Sequence, residues 1–72
     1  MKYYKYENRI YRKQPDKATY DVWLTVERRF QACIAPGWCS CNLFETEQLE
    51  IKLSQGKAGT VYAKDIPAEL KK

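Results

Sequence analysis

Between Thr19 and Ile34 the chain alternates with a period of two. Tyr20, Val22, Leu24, Val26, Phe30, Ala32 and Ile34 share one parity, and Thr19, Asp21, Thr25, Glu27, Arg29 and Gln31 take the other. Successive side chains of a strand point to opposite faces, so this pattern, with its β-branched enrichment, commits the chain to a sheet with one face buried. Trp23 and Cys33 interrupt the polar parity and Arg28 the apolar one, and Arg28-Arg29 suits a bulge or bend. Val22, Val26, Phe30, Cys33 and Ile34 also fall near helical spacing, a reading that would set Trp23 beside Val26 and Phe30. The alternation favours the strand.

The flanks fill out the fold. Residues 3–13 are rich in Tyr, Ile and Arg and read as a strand, with Tyr4, Tyr6 and Ile10 on one parity and Tyr3 and Tyr11 on the other. The imperfect alternation allows a break near Glu7-Asn8. Gln14-Pro15-Asp16-Lys17 predicts a type I turn into an antiparallel neighbour, because Pro presets φ at the second position and Asp suits the third. Ala35-Pro36-Gly37 is a turn, and Trp38–Phe44 could return as a short strand that sets Trp38 opposite Ile34 and Cys39 opposite Cys33. Residues 46–55 are the helix candidate: Thr46 as N-cap, Glu47 in the first turn, Leu49 and Leu53 as an apolar stripe, and Gly56 just past the end. Thr60–Ala63 predicts a last short strand. Ile66-Pro67 ends it, and residues 68–72 are expected to fray. The expectation is a small single α+β domain over residues 1–72, an antiparallel sheet of three to four strands with one short helix packed on it.

Size and composition narrow the function. A chain of 72 residues buries only roughly 60–65% of the surface it exposes when unfolded, and a deep catalytic pocket is hard to build in so small a body. Histidine is absent, which removes the usual general base near neutral pH and the commonest metal ligand. Glu45, Glu47 and Glu50 gather around the helix start, where an acid complements the dipole, and Gly56-Lys57-Ala58-Gly59-Thr60 lacks phosphate-loop spacing. The expectation is no catalytic residue, no cofactor and no enzyme. Cys33, Cys39 and Cys41 give the pattern C-x5-C-x-C, which lacks the paired spacing and the fourth ligand of a zinc site, so no metal is expected. No apolar run reaches the ~18–20 residues that span a bilayer, and the first residues carry no apolar leader. Cytoplasm is then the default compartment, with the cysteines ordinarily reduced. A Cys33–Cys39 disulfide across a hairpin remains conceivable.

The charge is segregated. The chain carries a net +4, while residues 21–72 balance seven bases with seven acids, so the excess lies in the first twenty residues. Five of the six tyrosines lie there too. Cations beside flat rings suit phosphates and stacked bases, which nominates Lys5, Arg9, Tyr11, Arg12, Lys13 and Lys17 as a nucleic-acid surface. The same aromatics could instead meet a larger protein, as small regulators of phage or mobile-element size do, with Tyr4, Tyr6, Trp23 and Trp38 as the contact residues. A homodimer is a further possible partner arrangement.

Overall fold

The structure is a computed structural model and describes residues 1–26 and 35–71. Its elements are strands β1 (Lys2–Tyr6), β2 (Arg9–Lys13), β3 (Asp21–Leu24) and β4 (Gly37–Ser40), helix α1 (Leu43–Ser54), strand β5 (Gly59–Val61), and 3-10 turns at Ala63–Asp65 and Ala68–Lys71. The strands form one antiparallel sheet in the order β4-β3-β2-β1-β5. This is the expected α+β fold with a slightly higher strand count.

The extra strand comes from the break at Glu7-Asn8. Both residues adopt positive φ, 50° and 63°. That conformation closes a two-residue hairpin whose twist matches its strands. Residues 3–13 are therefore two strands, paired from Lys2↔Lys13 to Tyr6↔Arg9. Asn tolerates the left-handed region, whereas Glu pays for its Cβ there. Replacing Glu7 with Asn is expected to stabilise the fold by roughly 0.5–1 kcal/mol, a rise in Tm of a few degrees in a thermal melt.

The turn after β2 forms as predicted: the Lys17 N–H donates to the Gln14 carbonyl at 3.2 Å. In and beside β3, Tyr20, Val22 and Leu24 are buried as expected, but Asp21 on the other parity is buried as well and Val26 on the apolar parity is exposed, so the expected half-buried pattern is kept only in part. The strand ends at Leu24, earlier than expected, because Thr25 and Val26 form a bend; residues 27–34, with Arg28-Arg29, Cys33 and Ile34, lie outside the described residues. On β4, Trp38 pairs with Trp23 and Cys39 with Val22; the expected pairing of Trp38 with Ile34 and of Cys39 with Cys33 falls on residues outside those described. Cys39 is disulfide-bonded and Cys41 is a buried thiol. The expectation of three reduced cysteines therefore fails at Cys39.

One face of the sheet carries the main core. Tyr11, Tyr20, Val22, Leu24, Cys39 and Cys41 meet Leu49 and Ala58, and Tyr4, Tyr6 and Leu53 pack around them. Burial raises the Tyr20 phenol above its usual range, reinforced by neighbouring Tyr4 and Glu50. Helix α1 begins three residues earlier than expected. Asn42 is the N-cap, its side-chain oxygen accepting the Glu45 N–H at 2.7 Å. Thr46 lies within the helix and is buried, where its hydroxyl accepts the Tyr20 N–H at 3.2 Å. Gly56 follows the C-cap Gln55 with φ 75°, the left-handed position that favours glycine.

Residues 68–70 depart from the expected frayed tail, while Lys72 lies outside the described residues. Ile66 and Leu70 are each 4% exposed, and the Trp38 indole N–H donates to the Leu70 carbonyl at 2.9 Å. Two apolar anchors and a satisfied carbonyl hold residues that sequence position alone would release. Among the described residues, no helix is long and apolar enough to cross a membrane.

Candidate functional site

The basic N-terminal residues divide by the parity of their strands. On the face opposite α1, Arg12 and Asp21 are cross-strand partners, and the Arg12 Nε donates to the Asp21 carboxylate at 2.9 Å. The side chains are 17% and 3% exposed. The Gln14 amide donates to the same carboxylate at 2.9 Å, while Lys17 Nζ and the Ser40 hydroxyl reach its other oxygen at 3.5 Å. Burial pushes the Asp21 carboxyl up, but the hydrogen bonds from Arg12 and Gln14 and the charges of Lys17 and Arg12 outweigh it and hold the group below its ordinary value. The Arg12 guanidinium also lies 4.4 Å from the centre of the Trp38 ring.

Several nominated residues are therefore spent on the fold. Tyr11 is core, so its ring is closed to base stacking. Arg12 and Lys17 serve Asp21. Lys13 donates from Nζ to the carbonyls of Gln14 and Lys17 and so braces the turn. Lys5 and Arg9 are exposed on neighbouring strands. Of the nominated protein-contact residues, Tyr4 and Tyr6 pack on the core. Trp23 and Trp38 pack edge to face with centres 5.5 Å apart, and Trp38 also meets Tyr3 at 6.3 Å. These four are part-buried, not projecting anchors.

Projecting apolar side chains lie elsewhere: Met1, Val26 and Tyr62 on three separate parts of the chain, and three together on α1, where Leu43 is 69% exposed, Phe44 68% and Ile51 44%. At 3.6 residues per turn, Phe44 and Ile51 point away from Thr46, Leu49 and Leu53, which face the core, and Leu43 lies a step round the helix. Phe44 also overhangs a groove of about 250 Å3 between the β1–β2 hairpin and α1, where Tyr6, Arg9, Gln48 and Lys52 contribute to the walls. Neither Leu43 nor Phe44 stands out while 38–44 is read as a strand. The available signal is Asn42-Leu43-Phe44-Glu45, whose Asn and Glu have capping-box spacing and move the helix start back.

A second groove, of about 370 Å3, is lined by Met1, Lys2, Tyr4, Lys13 and Pro15. Lys2 and Lys13 stand directly opposite each other across β1 and β2. Among the described residues, no group of three His, Cys, Asp or Glu is placed to hold a metal. No protein-family model matches the chain, and neither does any curated protein or solved structure.

Proposed function

We propose that this chain is a non-enzymatic binding module that docks a larger protein through the outer face of α1. The observation that carries this reading is the exposure of Leu43, Phe44 and Ile51 on one short helix. Single exposed apolar residues are ordinary, but several together beside a groove have the character of an interaction surface. Glu47 sits between Leu43 and Ile51 on the helix, with Glu50 on one flank and Arg9 and Lys52 on the other, so the apolar side chains are interleaved and rimmed with charge. The test is co-purification of the tagged chain from its cell of origin. Phe44→Asp is expected to lose the partner by at least tenfold at unchanged thermal stability. A variant that stays folded and retains its partners contradicts this reading.

A second reading, nucleic-acid contact, draws on the exposed cations of the hairpin, Lys2, Lys5 and Arg9, since Tyr11, Arg12, Lys13 and Lys17 are engaged by the fold. Binding of single- or double-stranded DNA or RNA should then weaken linearly in log salt, with a slope worth roughly two or more phosphates. Absence of binding at low salt removes this reading and leaves the protein-docking one standing.

A further inference from the structure

The two faces of the sheet are covered very differently. Helix α1 and its core occupy one. On the other, the described cover is the end of the chain, Ile66-Pro67-Ala68-Glu69-Leu70. Ile66 and Leu70 are its buried anchors, while Pro67, Ala68 and Glu69 between them face solvent. The hydrogen bonds made by its own backbone N–H groups are local: Ile66 to the Ala63 carbonyl at 3.3 Å and Leu70 to Pro67 at 3.0 Å. The bond to the sheet comes from a side chain, the Trp38 indole donating to the Leu70 carbonyl. The segment therefore sits on the sheet as a docked peptide sits on a receptor. Among the described residues, it is held by two apolar side chains and one main-chain carbonyl, not by strand pairing.

The surface beneath is built for that mode of contact. Trp38 reaches inward from the β4 edge to lie against Trp23, the Arg12 guanidinium and Tyr3, on three successive strands. Asp21 fixes Arg12 from below. Trp, Tyr and Arg dominate interaction hot spots, and the Trp38 indole N–H gives this surface a fixed donor for a main-chain carbonyl; Pro67, which faces solvent, stiffens the segment between its two anchors without itself entering the surface. The geometry points to a peptide-binding site on this face, occupied in cis by residues 66–70, that accepts in trans a partner segment of the same chemistry: an apolar residue, proline, two small or polar residues, then leucine. The cis segment is tethered by the short run Tyr62–Asp65, which gives it a high effective concentration. It acts as an internal competitor that a partner must displace. This surface is separate from the outer face of α1, and the inference does not rest on the protein-docking proposal.

The experiment uses the full chain. Leu70→Asp removes one anchor without altering Tyr3, Arg12, Trp23 or Trp38, and Leu70→Ala is the milder variant should the first not fold. The probe is a synthetic peptide with the sequence of residues 64–71, Lys-Asp-Ile-Pro-Ala-Glu-Leu-Lys, followed by the NMR signal of the Trp38 indole N–H. The released variant is expected to bind the peptide at least tenfold more tightly than the unaltered chain, with the Trp38 signal returning to its original position. A peptide with Ala at both anchor positions should leave the signal unmoved. A folded released variant that ignores the peptide overturns the proposal, as does equal binding by both chains. A concentration-dependent dimer that the peptide dissolves assigns the site to a second copy exchanging its end, and also overturns the reading of a separate partner.

Discussion

Replacing Asp21 with alanine is expected to destabilise the protein by about 3–5 kcal/mol, because it leaves the largely buried Arg12 guanidinium without its carboxylate. A domain of 72 residues has a total stability of roughly 4–11 kcal/mol. The variant should thus melt far below the parent or fail to fold at 37 °C, as read by circular dichroism. Lys17→Ala removes a longer and more exposed contact to the same carboxylate and should cost about 0–1 kcal/mol. The same node sets the response to acid. The folded-state pKa of Asp21 is depressed below its unfolded value. Its contribution is therefore complete above the unfolded pKa and is lost as pH falls through the folded one. Chemical denaturation from pH 6 downward should show stability falling below about pH 5, where an unfolded aspartate begins to protonate. That decline should be much reduced in Asp21→Asn.

The second large effect is expected at the centre of the helix contact. Leu49 is buried among Val22, Leu24 and Cys39 in the core cluster, and truncation to alanine should cost about 2–5 kcal/mol, the range set by how far the cavity collapses. Phe44 is a larger side chain on the same helix, yet it points to solvent, and Phe44→Ala should fall within about 0.5 kcal/mol of the parent. Denaturant melts of the two variants separate a residue kept for the fold from one that the fold does not need. A Phe44→Ala cost near that of Leu49→Ala would mean that the outer face of α1 is packed, not presented.

The strands were legible wherever local chemistry and burial agree. The parity of Tyr20, Val22 and Leu24 reads directly as a buried face, and Gln14-Pro15-Asp16-Lys17 reads as the turn that forms. The hairpin at Glu7-Asn8 is only half legible, since Glu is an uncommon choice for a residue at positive φ. Thr46 reads as a cap by type, but Asn42 is the stronger one and has Glu45 at capping-box spacing, and in the fold the Thr46 hydroxyl is taken by the Tyr20 N–H instead. The docked chain end was hidden because it depends on Trp38 reaching Leu70 across 32 residues, a contact with no local signature.

The candidate surfaces were less legible, for a related reason. Charge and ring density mark a stretch of sequence, but alternation deals its side chains to two faces and to the core. Tyr11 and Arg12 are adjacent in sequence, yet one lies under α1 and the other beneath Trp38. Cys39 and Cys41 are buried on the core side, while the intervening Ser40 reaches Asp21 on the other face. The exposed apolar residues of α1 become visible only once its first turn is known.

The most direct test of the docking proposal is site-specific photo-crosslinking in the cell of origin. A benzophenone amino acid is placed at position 44, with position 57 as control, since Lys57 is exposed beyond the end of the helix. A discrete protein adduct is expected at position 44, reduced by Ile51→Asp in the same chain and absent at position 57. A chain that folds normally and yields no adduct at position 44, or equal adducts at both positions, would contradict the docking proposal.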